Sequence, residues 1–533
     1  MPTDSGGRLP AALSPLQGPV FRGLWFAWFA ANLTMWMNDV AAAWLMTSLT
    51  TSPVMVALVQ SASTLPVFLL GLPSGALADI VDRRRWFAFT QLWVCVVALV
   101  LAAMSLSGRL TAGWLLALTF LNGVGMAMRW PVFAAIVPTV VSRAQFPQAL
   151  ALNGIAMNLS RVIGPVLAGA LLAAVSPAAV FVLNALLALF AFWMILRWKG
   201  APRASALPGE RFVGAMRVGI NYAMQAPRLK LILLRVFLFF LQSTALVAQG
   251  LHGGGAGFFT VMLSCLGLGA VIAALYFPRW RERYTPNQFV VAGTLVHAAA
   301  SALIVTVPEV WVALPAMVVA GMAWISVANS LTLAAQSTMP DWVRARGMSI
   351  YQMALMGGSA AGALLWGQVA AFAGVNGAVL AASAFAVLVA AALRRTSIVG
   401  EVAPDFSPAP AVAAPEPAMP VDDDAGPVMV TVEYRIDPAR TAEFAAVMER
   451  TRRARLRQGA LSWGLFHDVA QPGRCIEVFV DENWLEHQRR LERFTAFDAE
   501  LRTQRLAFHT GAQPPVLRRY VADALVEQPH APL

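Results

Sequence analysis

GLPSGALADIVDRRR, residues 71–85, closes one long apolar run with an abrupt cluster of charge, and Trp86 opens another. The bilayer core penalises unpaired charge by several kcal/mol, so Asp79, Asp82 and Arg83 to Arg85 mark a membrane surface between two spans. The rest of the chain repeats that rule.

Working outward, apolar runs long enough to cross about 30 Å of hydrocarbon as helices lie at 21–46, 53–78, 86–106, 111–141, 147–174 and 177–196. After a basic stretch, others follow at 229–250, 255–277, 287–307, 309–338, 347–373 and 375–393. The expected fold is an all-α membrane protein of twelve transmembrane helices in two six-helix halves, 21–196 and 229–395, joined by a central loop at 197–228. Composition agrees, since 58% of the 533 residues are hydrophobic and 13% charged, against about 25% charged in an ordinary soluble protein.

Positive residues collect on cytoplasmic loops. With the N-terminus inside, cytoplasmic segments hold Arg8, Arg22, Arg83 to Arg85, Arg143, the basic residues from Arg197 to Lys230, Arg279 to Arg283, Arg344, Arg346, Arg394 and Arg395, and the outer loops hold only Arg109. A shift by one span destroys this asymmetry, so both termini are expected in the cytoplasm. The net charge of +11 sits mostly in these short loops rather than on one face of a soluble domain, which argues against nucleic acid as a partner. Cys95, Cys265 and Cys475 lie far apart and suggest neither a disulfide framework nor a metal site. Residues 1–20 lack an apolar core followed by a small-residue cleavage site and read as a short cytoplasmic tail.

The halves also echo each other. Gly125-Met126-Ala127 recurs as Gly321-Met322-Ala323, and Ala168-Gly169-Ala170-Leu171-Leu172 as Ala361-Gly362-Ala363-Leu364-Leu365, in equivalent spans and at similar offsets. A duplicated six-helix unit explains both, and parallel halves of that kind place a substrate site between them near the midplane. Residues 396–427 turn to Pro, Ala and acidic residues, as an extended, mobile linker does. Beyond it, 428–533 read as strand (428–436), helix (438–457), two strands about a Gln-Pro-Gly turn (461–469 and 475–480), helix (482–508) and strand (516–521). That order, βαββαβ, predicts a small α+β ferredoxin-like domain.

Gly75-Ala-Leu77-Ala78-Asp79 with Arg83-Arg84 resembles the signature between the second and third helices of the major facilitator superfamily, with Ile80 where the family has a basic residue and Asp82 where it has Gly. The equivalent second-half loop, 278–283, keeps basic charge and lacks the Asp. Ser160-Arg161-Val-Ile-Gly164-Pro165-Val-Leu-Ala168-Gly169 is similar to the Gly-Pro motif of the fifth helix of antiporters, with Ser160 and Ala168 in place of glycines. The chain as a whole, including WMNDVAAAWLMTSL (36–49) and VMVTVEYRIDP (428–438), resembles the bacterial transmembrane secretion effectors, a branch related to enterobactin-type siderophore exporters. Its tail resembles domains related to antibiotic-biosynthesis monooxygenases, which pair into dimers.

The resemblance implies a multi-pass inner-membrane exporter of an amphipathic small molecule, a siderophore or drug-like compound, working by proton antiport. It implies a gating loop at Gly75, Asp79, Arg83 and Arg84, with Asp79 latching onto the start of the eleventh helix, where Arg344 and Arg346 stand. The antiporter-like residues Gly164, Pro165 and Gly169 favour export over uptake. An importer or uncoupled facilitator, a membrane-tethered oxygenase acting through 428–533, and a receptor signalling through the tail are the rivals. No nucleotide-binding signature is present, and His467, His487 and His509 lack metal-ligand spacing, so neither a cofactor nor enzymatic activity is expected. A homodimer through the C-terminal domain is.

Among acidic residues between 21 and 395, Asp39 alone lies deep, about 27 Å along the first helix at 1.5 Å per residue. A carboxylate there suits proton coupling, and equally a structural polar contact with Asn38 or a neighbouring helix. Arg161, mid-span, must face a cavity or find a partner, and Asp39, an anionic substrate or helix carbonyls each qualify. Arg129 is placed to bind substrate, close an inner gate or snorkel; Arg235 reads as a snorkelling anchor. His297 is a second titratable candidate or a packed core residue. Asn158, Trp36 and Trp324 complete the cavity candidates.

Overall fold

The computed structural model describes residues 11–50, 53–142, 145–198, 212–252, 256–281, 283–307, 309–340, 342–398, 405–407, 409 and 417–523. The first six helices are α1 (Pro19–Leu49), α2 (Pro53–Ile80), α3 (Arg83–Leu106), α4 (Ala112–Val140), α5 (Phe146–Ala174) and α6 (Pro177–Arg197). The charged stretch at 71–85 divides α2 from α3, where Asp82 caps α3 by accepting from the Arg85 backbone N–H at 3.0 Å. The residue that replaces the expected Gly thus satisfies one of the orphan donors that open a helix. Thr111 and Ser176 cap α4 and α6 in the same way.

After α7 (Phe212–Gln225) come α8 (Pro227–His252), α9 (Ala256–Arg281), α10 (Pro286–Thr306), α11 (Val310–Ser337) and α12 (Arg344–Leu393). Within α12, Gly374 takes φ +73°, a conformation cheap only without a Cβ, and so divides it into two helical runs. The expected spans 347–373 and 375–393 meet at that residue. Among the described residues, eight helices are long and apolar enough to cross a membrane.

Packing divides the chain into two units: Met1–Arg203 with Leu231–Gln336 and Met348–Gly400, and Ala204–Lys230 with Ser337–Gly347 and Glu401–Leu533. In the first, α2 packs on α4, α3 on α6, and α5 on both α1 and α9. One core gathers Phe21, Trp28, Phe87, Phe133, Leu152 and Ile195, with Trp28 stacked on Phe133 at 3.8 Å. Another gathers Met37, Met46, Val59, Leu101, Leu115 and Phe181. The outward faces are apolar too: Leu92, Val96 and Leu99 on α3 and Leu186, Leu189, Phe190 and Trp193 on α6 are exposed. Apolar residues at helical spacing on the outside suit a hydrocarbon solvent rather than water.

The second unit holds a helix the composition concealed. Gly and Arg interrupt the apolar pattern of 212–225, yet Ala215, Val218 and Tyr222 are buried at helical spacing, and α7 packs on α13 (Thr441–Gln458). Arg217 pairs with Glu482, the Tyr222 hydroxyl donates to the Thr338 carbonyl at 2.8 Å, and Arg493 lies over Trp342 at 5.3 Å. The expected central loop and the stretch before α12 therefore pack with the tail.

The tail's sheet comprises β1 (Val428–Arg435), β2 (Ser462–His467), β3 (Arg474–Asp481) and β4 (Val516–Val521), antiparallel in the order β2-β3-β1-β4. Val428, Val430, Val432 and Tyr434 point into its core with Phe444, Met448 and Phe479. The expected helix over 482–508 is two, α14 (Trp484–Glu492) and α15 (Ala496–Leu506), because a Thr495–Asp498 capping box starts the second. From 405 onward, the described parts of 396–427 are held to this domain by backbone bonds, Phe497 N–H to Asp405 O at 2.9 Å and Trp484 N–H to Ala425 O at 2.9 Å among them.

Candidate functional site

Three of the cavity candidates converge. α5 approaches α1 so closely at Gly164 that a Cβ there would sit 2.6 Å from the Trp36 Cβ. At Gly267 of α9 an added Cβ would lie 3.2 Å from Val162 and 3.8 Å from the Arg161 carbonyl. Between these contacts Arg161 carries its guanidinium 4.9 Å from the Trp36 ring and 4.2 Å from the Trp324 ring of α11. Phe240 of α8 meets Trp324 edge-on at 5.2 Å. Asn158, three residues earlier on α5, is buried.

Asp39 follows Trp36 by three residues on α1, and its Oδ1 accepts from the Ser63 hydroxyl of α2 at 2.8 Å. Among the described residues it forms no pair with Arg161, because α2 meets it first. Arg161 Nε and Nη1 and Trp36 Nε1 are buried without a hydrogen-bond partner among the described residues.

The other candidates are spent differently. Arg129 is 1% exposed, lies over Trp28 at 5.2 Å, and donates to the Ala31 carbonyl at 2.5 Å and Asn32 Oδ1 at 3.5 Å, joining α4 to α1. Arg235, the expected snorkelling anchor, is instead buried: it donates to Asn287 Oδ1 at 2.7 Å and to the Leu393 and Thr396 carbonyls, each at 2.6 Å, so α8 holds both α10 and the end of α12. His297 is buried edge-on to Phe239 at 5.7 Å. Gly75 is buried in α2, Arg83 and Arg84 open α3, and Arg84 donates to the Leu196 carbonyl. Asp79 ends α2, and its side chain lies outside the described ones. Gly164, Pro165 and Gly169 all lie within α5.

In the tail, Glu477 accepts from Arg455 Nε at 3.0 Å, Trp463 Nε1 at 3.1 Å and the Tyr434 hydroxyl at 3.2 Å. Burial acts to raise its pKa, but the Arg455 and Arg505 guanidiniums outweigh it and hold the carboxyl below its ordinary value. Asp481 behaves likewise: burial opposes, and Arg490 and His487 prevail. Arg490 Nε lies 3.0 Å from both Asp481 oxygens, His487 Nδ1 lies 2.7 Å from Oδ2, and Arg519 Nε donates to His487 Nε2 at 3.0 Å. The three tail histidines each have their own partners, with His467 3.3 Å from the Cys475 sulfur and His509 accepting from the Arg435 N–H at 3.0 Å. Ser63, Phe240 and Gly267 had no sequence signal, since only helix packing brings them to the site.

Residues 10–527 match the family described as transmembrane secretion effector. The chain is also 25% identical over 146 residues to the staphyloferrin A transporter of Staphylococcus aureus, an alignment that spans 27% of this chain and 37% of that transporter. In fold it is similar to the POT family transporter PepTSo, with a TM-score of 0.57 at 13% identity over 72% of this chain and 98% of that one. The nucleoside transporter NupG gives 0.55 at 13% over 70% and 98%, and the fucose:proton symporter of E. coli gives 0.52 at 15% over 73% and 100%.

Proposed function

This chain belongs to the transmembrane secretion effector family of the major facilitator superfamily, and on that premise we propose that it is a secondary exporter of an amphipathic small molecule, a siderophore or drug-like compound, driven by proton antiport. The observation that carries this reading is the seat at Arg161, where Trp36 and Trp324 meet one guanidinium. Those rings come from the two expected six-helix halves, and a site shared by both halves is what alternating access requires. The name of the staphyloferrin A transporter supports a siderophore-like cargo.

In this reading Asp39 carries the proton, its bond to Ser63 breaking and reforming as α1 and α2 change exposure, with His297 the second candidate. Gly75, Asp79, Arg83 and Arg84 gate the cytoplasmic side, and Gly164, Pro165 and Gly169 let α5 bend and pack during export. The protein lies in the inner membrane with both termini in the cytoplasm, and two copies pair through their tails. The transport reading places no catalytic step in the tail.

The test is substrate-triggered proton movement in proteoliposomes, screening siderophores and lipophilic cations with wild type beside Asp39→Asn. Proton movement in wild type that Asp39→Asn loses while still binding substrate supports antiport through Asp39. Equal transport and proton flux in both removes Asp39 from the mechanism, transport without proton flux leaves a facilitator, and accumulation against the proposed direction makes it an importer.

A further inference from the structure

Two guanidinium nitrogens unpaired among the described residues, Nε and Nη1, set Arg161 apart from Arg129 and Arg235, which each leave only Nε unpaired. Arg129 and Arg235, buried in α4 and α8, spend both Nη groups on backbone carbonyls and asparagine oxygens. Arg161 does not: its Nε and Nη1 are buried with no partner among the described residues, and the indole N–H of Trp36 beside it is equally unpaired. Asp39, the carboxylate that charge alone would assign to it, is engaged by Ser63. Every unpaired group here is a donor, so the missing component is an acceptor.

The geometry also restricts its kind. Rings at 4.9 and 4.2 Å attract the guanidinium through their π faces and hold its rigid fork in place. A guanidinium presents two parallel N–H pairs, Nε with Nη2 and Nη1 with Nη2, and a carboxylate completes either with two bonds. A cationic headgroup would meet like charge, and a neutral one would leave a buried guanidinium uncompensated. Trp36, Trp324 and Phe240 supply apolar surface for the rest of the molecule. Building on the exporter reading, we propose that this seat binds the carboxylate of an anionic amphipathic substrate, with Arg161 as its bidentate partner.

Three probes with one aromatic body and different headgroups test this: 2-naphthoate, 2-naphthamide and 2-naphthylmethylammonium. Each is titrated against the full-length protein in detergent and then offered to proteoliposomes, for wild type, Arg161→Gln and Arg161→Lys, with melting temperatures recorded for all three proteins. Wild type is expected to favour the naphthoate over both other probes. Arg161→Gln is expected to weaken naphthoate binding about 100-fold, the scale of removing one partner of a buried charged pair, with naphthamide binding little changed. Arg161→Lys keeps the charge without the fork and is expected to lose about tenfold; it still reads the proposal if the Gln variant does not fold. Retained naphthoate preference in the variants, tighter ammonium binding by wild type, or no naphthoate binding at millimolar concentration overturns the proposal. So does displacement of the probe by phosphatidylglycerol without probe transport, which assigns the seat to a lipid headgroup. Naphthoate that binds through Arg161, is not displaced by lipid and never crosses the membrane defeats the exporter reading instead and leaves the anion seat standing.

Discussion

Glu477 shows what a single buried charge does in the tail. It is wholly buried and is held by Arg455, Trp463 and Tyr434. Removing one partner of such a pair leaves the other desolvated and costs about 3–5 kcal/mol. Glu477→Ala is therefore expected to lower the hydrogen-exchange protection of β1 and β3 by that order in the full-length protein. Because the folded carboxyl sits below its ordinary 4.5, its stabilisation is complete above that value and is lost as pH falls through the lowered one. The acid loss of protection in this sheet is expected to flatten in the variant, and an unchanged pH profile would count against the assignment. The residue types in this network were visible in the chain, but their pairing was not. Glu477 alternates with apolar neighbours as any strand residue does, and only the packing of α13 beneath β3 shows that it faces inward.

Between helices, the second Gly-Met-Ala segment marks a place where backbones touch, whereas a Cβ on Gly125 in the first would meet the Val94 and Trp93 side chains. A Cβ on Gly321 would overlap the Leu266 carbonyl of α9, and one on Gly269 would overlap Val318 of α11. Rigid backbone cannot yield as a side chain can, so Gly321→Ala is expected to cost about 1–3 kcal/mol and to lower the melting temperature in detergent. Gly113, with nothing within 4 Å of an added Cβ, is the control, and Gly113→Ala is expected to leave it unchanged or slightly raised. Equal melting temperatures for the two variants would mean that the α9–α11 contact relaxes freely. The repeat was legible because glycine at a helix crossing is a sequence signal. The amphipathic α7 was missed because its buried face is small and broken by Gly214, Arg217 and Gly219.

For the whole molecule, the proposed pairing of two copies rests on the outer face of the tail's sheet. There Met429, Phe466, Val516 and Tyr520 are exposed, Phe466 by 59%, beside half-buried Ile476, Val478 and Val480. A contiguous apolar sheet face is costly in water unless covered. Phe466→Asp is expected to abolish chemical cross-linking between full-length copies in membranes, and cross-linking that persists would place the contact elsewhere. What the sequence by itself determined was the placement of apolar spans, their breaks at charge clusters and at Gly374, and the positions along the chain of the tail's four strands. Those follow from hydropathy, capping residues and backbone freedom, which are properties of near neighbours in the chain. Only the tertiary structure decided that Ser63 rather than Arg161 meets Asp39, that Trp36 and Trp324 meet on Arg161, and that α7 belongs with the tail. Each depends on which helices pack together, and a side chain's partner across a helix interface is set by that packing rather than by its own neighbours.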